Sequence, residues 1–126
     1  MQKNAIFCSN HMGVLLMPNA ETEILLQVEN LPLCRAFYRD ALMLGNPEID
    51  SNFLCRFRLA DGASLTLEQV VRKTIQNPAW CWEPDEPQLV FENLRAFGYQ
   101  LKKTTAAQRP VRALPDPESN TVLLME

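Results

Sequence analysis

The apolar positions of this chain change their spacing along its length, and these changes divide it into strands and helices. From Glu23 to Val28 they form a short aliphatic run, which is typical of a strand. Asn30, Pro32 and Gly45 then supply the start and stop signals of a helix. Between those signals the apolar residues recur at helical spacing, at Cys34, Phe37, Tyr38, Ala41 and Leu42. The pattern therefore predicts a strand followed by an amphipathic helix that packs on a sheet.

A hairpin is predicted next, from Asn52 to Ala60 and from Ala63 to Val70, because Asp61-Gly62 between the two runs suits a tight turn. Two registers are possible for the two strands of this hairpin. A three-residue loop with Gly62 in the left-handed conformation places Phe57 opposite Leu65, whereas a two-residue turn slips the strand by one residue and reverses its faces. We favour the three-residue loop because it pairs apolar with apolar residues.

The same order of signals then begins again. An aromatic strand from Ala79 to Glu83 precedes a helix that is capped by Asp85, contains Pro87 in its first turn and ends at Gly98. Its apolar stripe consists of Val90, Phe91, Leu94 and Phe97. Three more strands are predicted, at Tyr99 to Thr104, Pro110 to Leu114 and Thr121 to Met125. The repeat, after about 55 residues, indicates an internal duplication; accidental similarity within ordinary helix and strand alternation is the alternative.

The predicted fold class is therefore α+β, with tandem βαβββ halves at about residues 22–70 and 79–126 that form a single domain from residue 21 to residue 126. Residues 1–20 precede this domain. We expect them to form an arm, with an added edge strand at Gly13 to Met17, that packs on a partner subunit. The arm contains the single histidine of the chain, His11, which we interpret as a solvated residue.

Composition narrows the possible functions. A chain of 126 residues with 47% hydrophobic residues suits one globular domain, and a net charge of -3 argues against binding nucleic acid by neutralising phosphates. No run approaches the roughly 20 apolar residues of a membrane span, and the N-terminus lacks a signal-peptide core. Four cysteines stand far apart without a CxxC pair, which favours buried reduced thiols in the cytoplasm over disulfides.

Two motifs at opposite ends of the domain resemble one known superfamily. The first is Val28-Glu29-Asn30-Leu31 with Phe37-Tyr38-Arg39-Asp40 and Leu44-Gly45, and the second is Asp116-Pro117-Glu118-Ser119-Asn120-Thr121-Val122. Together they are similar to the opening and closing motifs of the glyoxalase, bleomycin-resistance and dioxygenase proteins, the vicinal oxygen chelate superfamily; Ser119 stands where that closing motif has glycine. The resemblance implies a curved mixed sheet that forms a cup, with the helices on its outside. Such a cup is usually completed in a homodimer.

The resemblance also implies where metal ligands would lie. Two histidines and two glutamates, or their equivalents, are expected at four strand positions, which in this chain carry Glu23, Thr66, Ala79 (or Pro78) and Leu123. None of these is histidine. We therefore expect no metal cofactor, the alternative being an oxygen-only divalent cation site formed by Glu23 and Glu68. The metal-dependent activities of the superfamily are thereby in doubt for this chain.

Because successive side chains of a strand point to opposite faces of the sheet, the sequence predicts which of them face the inside of the cup. The expected ligand-binding residues are Gln27, Arg56, Arg58, Ser64, Thr66, Leu123 and Met125. Two arginines suit a ligand with a carboxylate or phosphate; alternatively, they pair with Glu23 and Glu68 and close a dimer seam. In the second half Trp80 and Trp82 should face the helices, although a shift of one residue would make them ligand platforms.

Three functional hypotheses follow. The first is a metal-free, bleomycin-resistance-like protein that binds a small, anionic or antibiotic-like molecule in the groove of a homodimer. The second is an enzyme, a divergent lyase or transferase of the same superfamily with Glu23 or Glu68 as the base. The third is a non-catalytic scaffold dimer. The first is favoured, since no imidazole is available in the domain.

Overall fold

The computed structural model describes residues 5–8, 15–16, 23–59 and 62–126, the first two segments by their backbone alone. The helical elements are α1 (Leu31–Ala36), a π-helical segment (Phe37–Ala41) and α2 (Pro87–Ala96). The strands are β1 (Ala5–Cys8), β2 (Leu15–Leu16), β3 (Glu23–Val28), β4 (Ile49–Asp50), β5 (Leu54–Arg58), β6 (Ser64–Gln69), β7 (Trp80–Trp82), β8 (Lys102–Ala106), β9 (Arg109–Pro115) and β10 (Thr121–Met125).

Two sheets follow the same strand order. The first is β3-β6-β5-β4, and the second contains β7-β10-β9-β8, with β1 and β2 added at the β7 edge. In each half the first strand runs parallel to the last, and the other neighbours are antiparallel. The predicted α+β fold of tandem βαβββ halves is therefore confirmed.

The N-terminal segment contributes to the second sheet. β1 pairs antiparallel with β7, so that Ile6 lies opposite Cys81, and β2 pairs with β1. The predicted edge strand at Gly13 to Met17 is present as Leu15–Leu16. The rest of the predicted arm, including His11, lies outside the described residues, and its packing on a partner subunit stays a prediction.

The opening helix begins where the sequence predicts it, but it ends at Ala41, before the predicted stop at Gly45, because Met43 already adopts a left-handed φ of +65°. The helix also changes type along its length. The side chain of Asn30 accepts a hydrogen bond from the Leu33 backbone N–H at 3.2 Å, and Pro32 lies in the first turn. After Ala36 the chain is π-helical, with the Leu42 N–H donating to the Phe37 carbonyl at 2.9 Å. The apolar spacing does not reveal this change, although every residue of the predicted stripe is buried.

The second helix corrects one prediction. Its N-cap is Glu86, without a side-chain hydrogen bond, and Asp85 lies one residue outside it. Pro87 at the start of the helix has a φ angle that is already helical and has no N–H to satisfy, so the helix begins without an aspartate cap. The predicted end is found, since Gly98 adopts a φ of +93°, a conformation that favours glycine.

The strand β9 is longer than predicted, and β8 is shifted toward the C-terminus, from the predicted Tyr99 to Thr104 to Lys102–Ala106. They are joined by a two-residue turn, Ala107-Gln108, with φ angles of +48° and +65°. Such turns usually carry asparagine and glycine, which tolerate positive φ at both positions. Their absence hid the turn, so the predicted strands stopped short at Thr104 and began late at Pro110.

The core lies between the helices and one face of both sheets. Phe57 pairs with Leu65 and Cys55 with Leu67, and Gly62 has a φ of +94°, so the three-residue loop is the correct register. One buried cluster joins residues from the two halves. Its members include Ile24, Leu26, Tyr38, Phe57, Leu65, Leu67, Trp80, Phe91, Val122 and Leu124.

The cysteines depart partly from expectation. Cys34 and Cys55 are free and buried, as predicted, but Cys81 is disulfide-bonded. The spacing of cysteines along the chain does not by itself reveal this bond. Among the described residues, no helix is long and apolar enough to cross a membrane.

Candidate functional site

The first sheet presents a face that points away from the core, which we call the open face. Strand register places its side chains together. They are Glu23, Leu25, Gln27, Ile49, Leu54, Arg56, Arg58, Ser64, Thr66 and Glu68. Leu25 and Ile49 remain 39% and 37% exposed, so the face combines charges with accessible apolar surface. It contains the residues predicted for ligand binding in the first half of the chain.

Three of these side chains form a closed triad. Arg56 Nη2 lies 2.6 Å from Glu23 Oε1, and Arg56 Nε donates to Thr66 Oγ1 at 3.2 Å. The Thr66 hydroxyl in turn donates to Glu23 Oε1 at 2.9 Å. The parallel pairing of β3 with β6 and the antiparallel pairing of β5 with β6 bring the three residues side by side. The predicted pairing of Arg56 with Glu23 is therefore present.

The triad favours the ionised form of Glu23. The hydrogen bond from Thr66 and that from Arg56 lower the pKa of Glu23, and together they outweigh the opposing effect of partial burial. A carboxylate with a lowered pKa is a weaker proton acceptor. This environment is better suited to holding a charge in place than to abstracting a proton.

Arg58 has a different partner from the one predicted. Its Nη2 lies 2.6 Å from Glu48 Oε1, and its Nη1 donates to the Gly62 carbonyl at 2.7 Å. Glu48 precedes β4, and the pairing of β4 with β5 brings it next to Arg58. Glu68, the expected partner, makes no ion pair or hydrogen bond within the described chain.

Gln27 is hydrogen-bonded to the segment between β6 and β7, which joins the two halves and which we call the connector. Its side-chain oxygen accepts from the Thr74 and Ile75 backbone N–H groups at 2.8 and 3.1 Å, and its Nε2 donates to Thr74 Oγ1 at 3.1 Å. Asn77 bonds both backbone groups of Gln27. The amide of Gln27 therefore positions the connector and has little capacity left for a ligand.

The second half presents a more closed surface. Cys81, Val111 and Met125 form a small buried cluster, with Leu123 partly buried against it. Met125 is only 1% exposed and Leu123 is half-buried, so neither offers an open ligand surface in this conformation. Trp80 is fully buried on the core side and packs against Tyr38, with ring centroids 6.2 Å apart.

Trp82 also packs on the core side, as predicted, but it borders a cavity of about 440 Å³. Met43, Asp85, Glu86 and Leu89 contribute to the walls of that cavity. A second, more polar cavity of about 290 Å³ lies between the connector and the last turn, where Ala79 contributes to its lining.

The residues at the four expected metal positions do not fit a metal ion. Glu23 and Thr66 converge on a guanidinium group, and Ala79 and Leu123 carry no ligating side chain. The alternative pair, Glu23 with Glu68, provides two carboxylates of which one already binds Arg56. Within the part of the chain that the structure describes, no group of three histidine, cysteine, aspartate or glutamate side chains is placed to hold a metal.

The sequence did not reveal the role of Glu118. Its carboxylate accepts hydrogen bonds from the Glu29 and Asn30 backbone N–H groups at 2.8 to 2.9 Å, and Lys73 Nζ lies 3.1 Å away. Burial would raise the pKa of Glu118, but these contacts outweigh burial and lower it. Cys34 donates to the same carboxylate, and its own pKa is raised by burial and by Glu118. The presence of Glu118 in the closing motif was the available signal.

Comparison with solved structures identifies the fold. Lactoylglutathione lyase from Agrobacterium tumefaciens is 20% identical with a TM-score of 0.66, over 86% of this chain and 94% of that chain. A glyoxalase/bleomycin resistance protein from Catenulispora acidiphila is 16% identical with a TM-score of 0.63, over 82% and 95%. A mutant of the fosfomycin resistance protein FosX from Listeria monocytogenes, complexed with Mn(II) and a dihydroxypropylphosphonic acid, is 17% identical with a TM-score of 0.60, over 82% and 86%.

These likenesses confirm that the chain has the fold of the glyoxalase and bleomycin-resistance proteins, the vicinal oxygen chelate fold, as its two motifs predict. No family model and no curated protein sequence matches the chain. At these identities the comparisons establish the fold and leave the activity to be argued from the site.

Proposed function

We propose that this protein binds a small molecule on the open face without a metal ion, in a groove completed by a second copy of the chain. The observation that carries the proposal is the triad of Arg56, Glu23 and Thr66. A permanently charged guanidinium contacts the side chains at two expected metal positions and retains N–H donors beyond its ion pair with Glu23. The exposed Leu25 and Ile49 supply apolar contact beside it.

The binding role is favoured over the enzymatic one by the state of Glu23. A general base requires a pKa near the working pH, and both Thr66 and Arg56 hold the pKa of Glu23 below its ordinary value. A scaffold dimer is less favoured, because the polar and apolar groups of the open face are those of a small-molecule site. The cytoplasm is the proposed location.

The metal-free part of the proposal is tested by titrating Mn²⁺ into wild-type protein and into Glu23→Gln, with Mn²⁺ binding followed by electron paramagnetic resonance. We expect neither protein to bind Mn²⁺ stoichiometrically. Stoichiometric binding by the wild type that Glu23→Gln abolishes would refute the absence of a metal.

The binding part is tested by nuclear magnetic resonance of ¹⁵N-labelled protein, with bleomycin and fosfomycin as probes, because similar folds occur in resistance proteins. We expect amide shifts confined to the open face without added metal. Shifts that require Mn²⁺ would contradict the proposal. Light scattering should give the mass of a dimer, and a monomer at micromolar concentration would refute the completed groove.

A further inference from the structure

Arg56 keeps unused hydrogen-bonding capacity on the open face. A guanidinium carries five N–H donors, of which Nε and one donor of Nη2 are used by Thr66 and Glu23. The remaining donors, including both on Nη1, have no partner within the described chain. The side chain is 29% exposed, so these donors are accessible to an acceptor group on a ligand.

Glu68 offers the opposite chemistry. Glu68 as a residue is half-buried on the open face, and its carboxylate is unpaired within residues 23–59 and 62–126. It lies opposite Leu54 on one neighbouring strand and Gln27 on the other. Since a partly desolvated carboxylate gains from a cationic partner, a ligand ammonium group would satisfy it.

The charge balance of the face excludes a simple anion as the best ligand. Glu23 and Glu68 on the face, together with Glu48, which pairs with Arg58 from beside the face, provide three carboxylates against two guanidinium groups, which leaves one negative charge. An anion would therefore meet a net negative face and compete with Glu23 for Arg56. A simple cation would satisfy Glu68 but leave the free donors of Arg56 without an acceptor.

Strand register sets the backbone spacing of the two residues. Arg56 lies opposite Thr66, and Glu68 is two residues further along the same strand, so the pair occupies diagonal positions on one face. Diagonal neighbours in a sheet are about 7–8 Å apart. Leu54 lies opposite Glu68 and two residues from Arg56 along β5, and it contributes apolar surface at this point of the face.

We propose that the open face selects a small zwitterion, in which Arg56 receives a carboxylate or phosphonate and Glu68 receives an ammonium group across a short apolar spacer. This inference rests on the proposed binding function and names the chemical class of its ligand. A zwitterion replaces the anionic ligand expected from the sequence. That expectation assumed that neither Arg56 nor Arg58 was paired with a carboxylate.

The test uses three probes with the same carbon chain: 4-aminobutyrate, butyrate and butylamine. Each is titrated into ¹⁵N-labelled full-length protein, and the amide shifts of the open face give the affinity. We expect 4-aminobutyrate to bind about fivefold more tightly than either singly charged probe, the upper end of the effect of one exposed ion pair. Equal binding of butyrate and 4-aminobutyrate would overturn the zwitterion.

Two variants assign the contacts. Glu68→Gln should remove the advantage of 4-aminobutyrate over butyrate, and Arg56→Gln should remove its advantage over butylamine. The matched controls are Glu92→Gln and Arg95→Gln, on the exposed surface of α2, which should retain both advantages. If Arg56→Gln fails to fold, Arg56→Lys replaces it and should weaken the same advantage, since lysine lacks the planar fork.

The outcomes separate this inference from the function on which it rests. Binding of all three probes at the open face, with no effect of Glu68→Gln, refutes the zwitterion but retains a small-molecule site. Absence of open-face shifts with every probe at tens of millimolar, and with both antibiotics, refutes the binding function itself.

Discussion

The hydroxyl of Tyr38 donates a hydrogen bond of 2.8 Å to the carboxylate of Asp116, although the two residues are 78 positions apart in the chain. Asp116 also accepts from the backbone N–H groups of Glu118 and Asn120. The bond therefore joins the helical segment of the first half to the last turn of the second. Burial, followed by the charge of Asp116, raises the pKa of Tyr38, so the hydroxyl stays protonated and remains a donor.

Replacing Tyr38 with phenylalanine removes this bond and leaves a buried carboxylate with one partner fewer. We expect the free energy of unfolding to fall by about 1–3 kcal/mol, measured by urea denaturation. Tyr99→Phe is the control, since the Tyr99 hydroxyl makes no hydrogen bond within the described chain, and it should change stability much less. Equal effects of the two substitutions would show that the bond to Asp116 contributes nothing particular.

Glu118 should make stability depend on pH. Its folded pKa is lowered, so its contribution is complete above the ordinary glutamate pKa of about 4.3 and is lost as the pH falls through the folded value. We expect Glu118→Gln to be less stable than wild type at neutral pH and to lose less stability between about pH 5 and pH 3.

The measurement is thermal unfolding across that pH range, with Glu92→Gln as the exposed control. Glu23, whose pKa is also lowered, leaves some acid sensitivity in the Glu118→Gln variant. Parallel stability curves for wild type and Glu118→Gln would contradict the assigned role.

Ser119 occupies a glycine-like conformation in the closing turn. Its φ of +66° is costly for a residue with a Cβ, and glycine adopts it freely. We expect Ser119→Gly to stabilise the protein by about 1 kcal/mol. Ser119→Ala keeps the Cβ and should give no such gain in chemical denaturation. A loss of stability in Ser119→Gly would mean that the serine side chain makes a compensating interaction.

Asn77 connects the segment between the two halves to β3 and to the last turn. Its side-chain oxygen accepts from the Gln27 backbone N–H at 2.8 Å, and its Nδ2 donates to the Gln27 carbonyl and to Asn120 Oδ1 at 2.9 Å. Asn77→Ala leaves the Gln27 backbone groups without these partners and should cost about 1–3 kcal/mol.

Hydrogen exchange provides the local readout for Asn77→Ala. We expect faster exchange at the Gln27 amide, whereas Gln76→Ala, at an exposed neighbouring position, should leave it unchanged. Unaltered protection of Gln27 in Asn77→Ala would disprove the connection.

Much of the fold was predictable because its signals are local. The strand at Glu23 to Val28, the cap at Asn30 and the end of the second helix at Gly98 depend on neighbouring residues and on backbone conformation. The hairpin register was also predictable, since matching apolar residues across two adjacent strands admitted one favourable alignment.

The features that the sequence did not predict correctly also have specific causes. The side chain of Asp85 suits a capping role, but the helix begins at Pro87 with Glu86 as its N-cap. The turn at Ala107-Gln108 lacks the residues that usually mark positive φ, so the sequence does not signal it.

For the candidate site, the sequence by itself determined which side chains share the open face, because alternation along a strand is a property of the chain. It also determined that histidine is absent from the four expected metal positions. Only the tertiary structure decided the pairing of charges, joining Arg56 to Glu23, Arg58 to Glu48, and leaving Glu68 free within the described chain. Ion pairs form between groups brought close by strand order and loop path, and neither is encoded in the spacing of single residues.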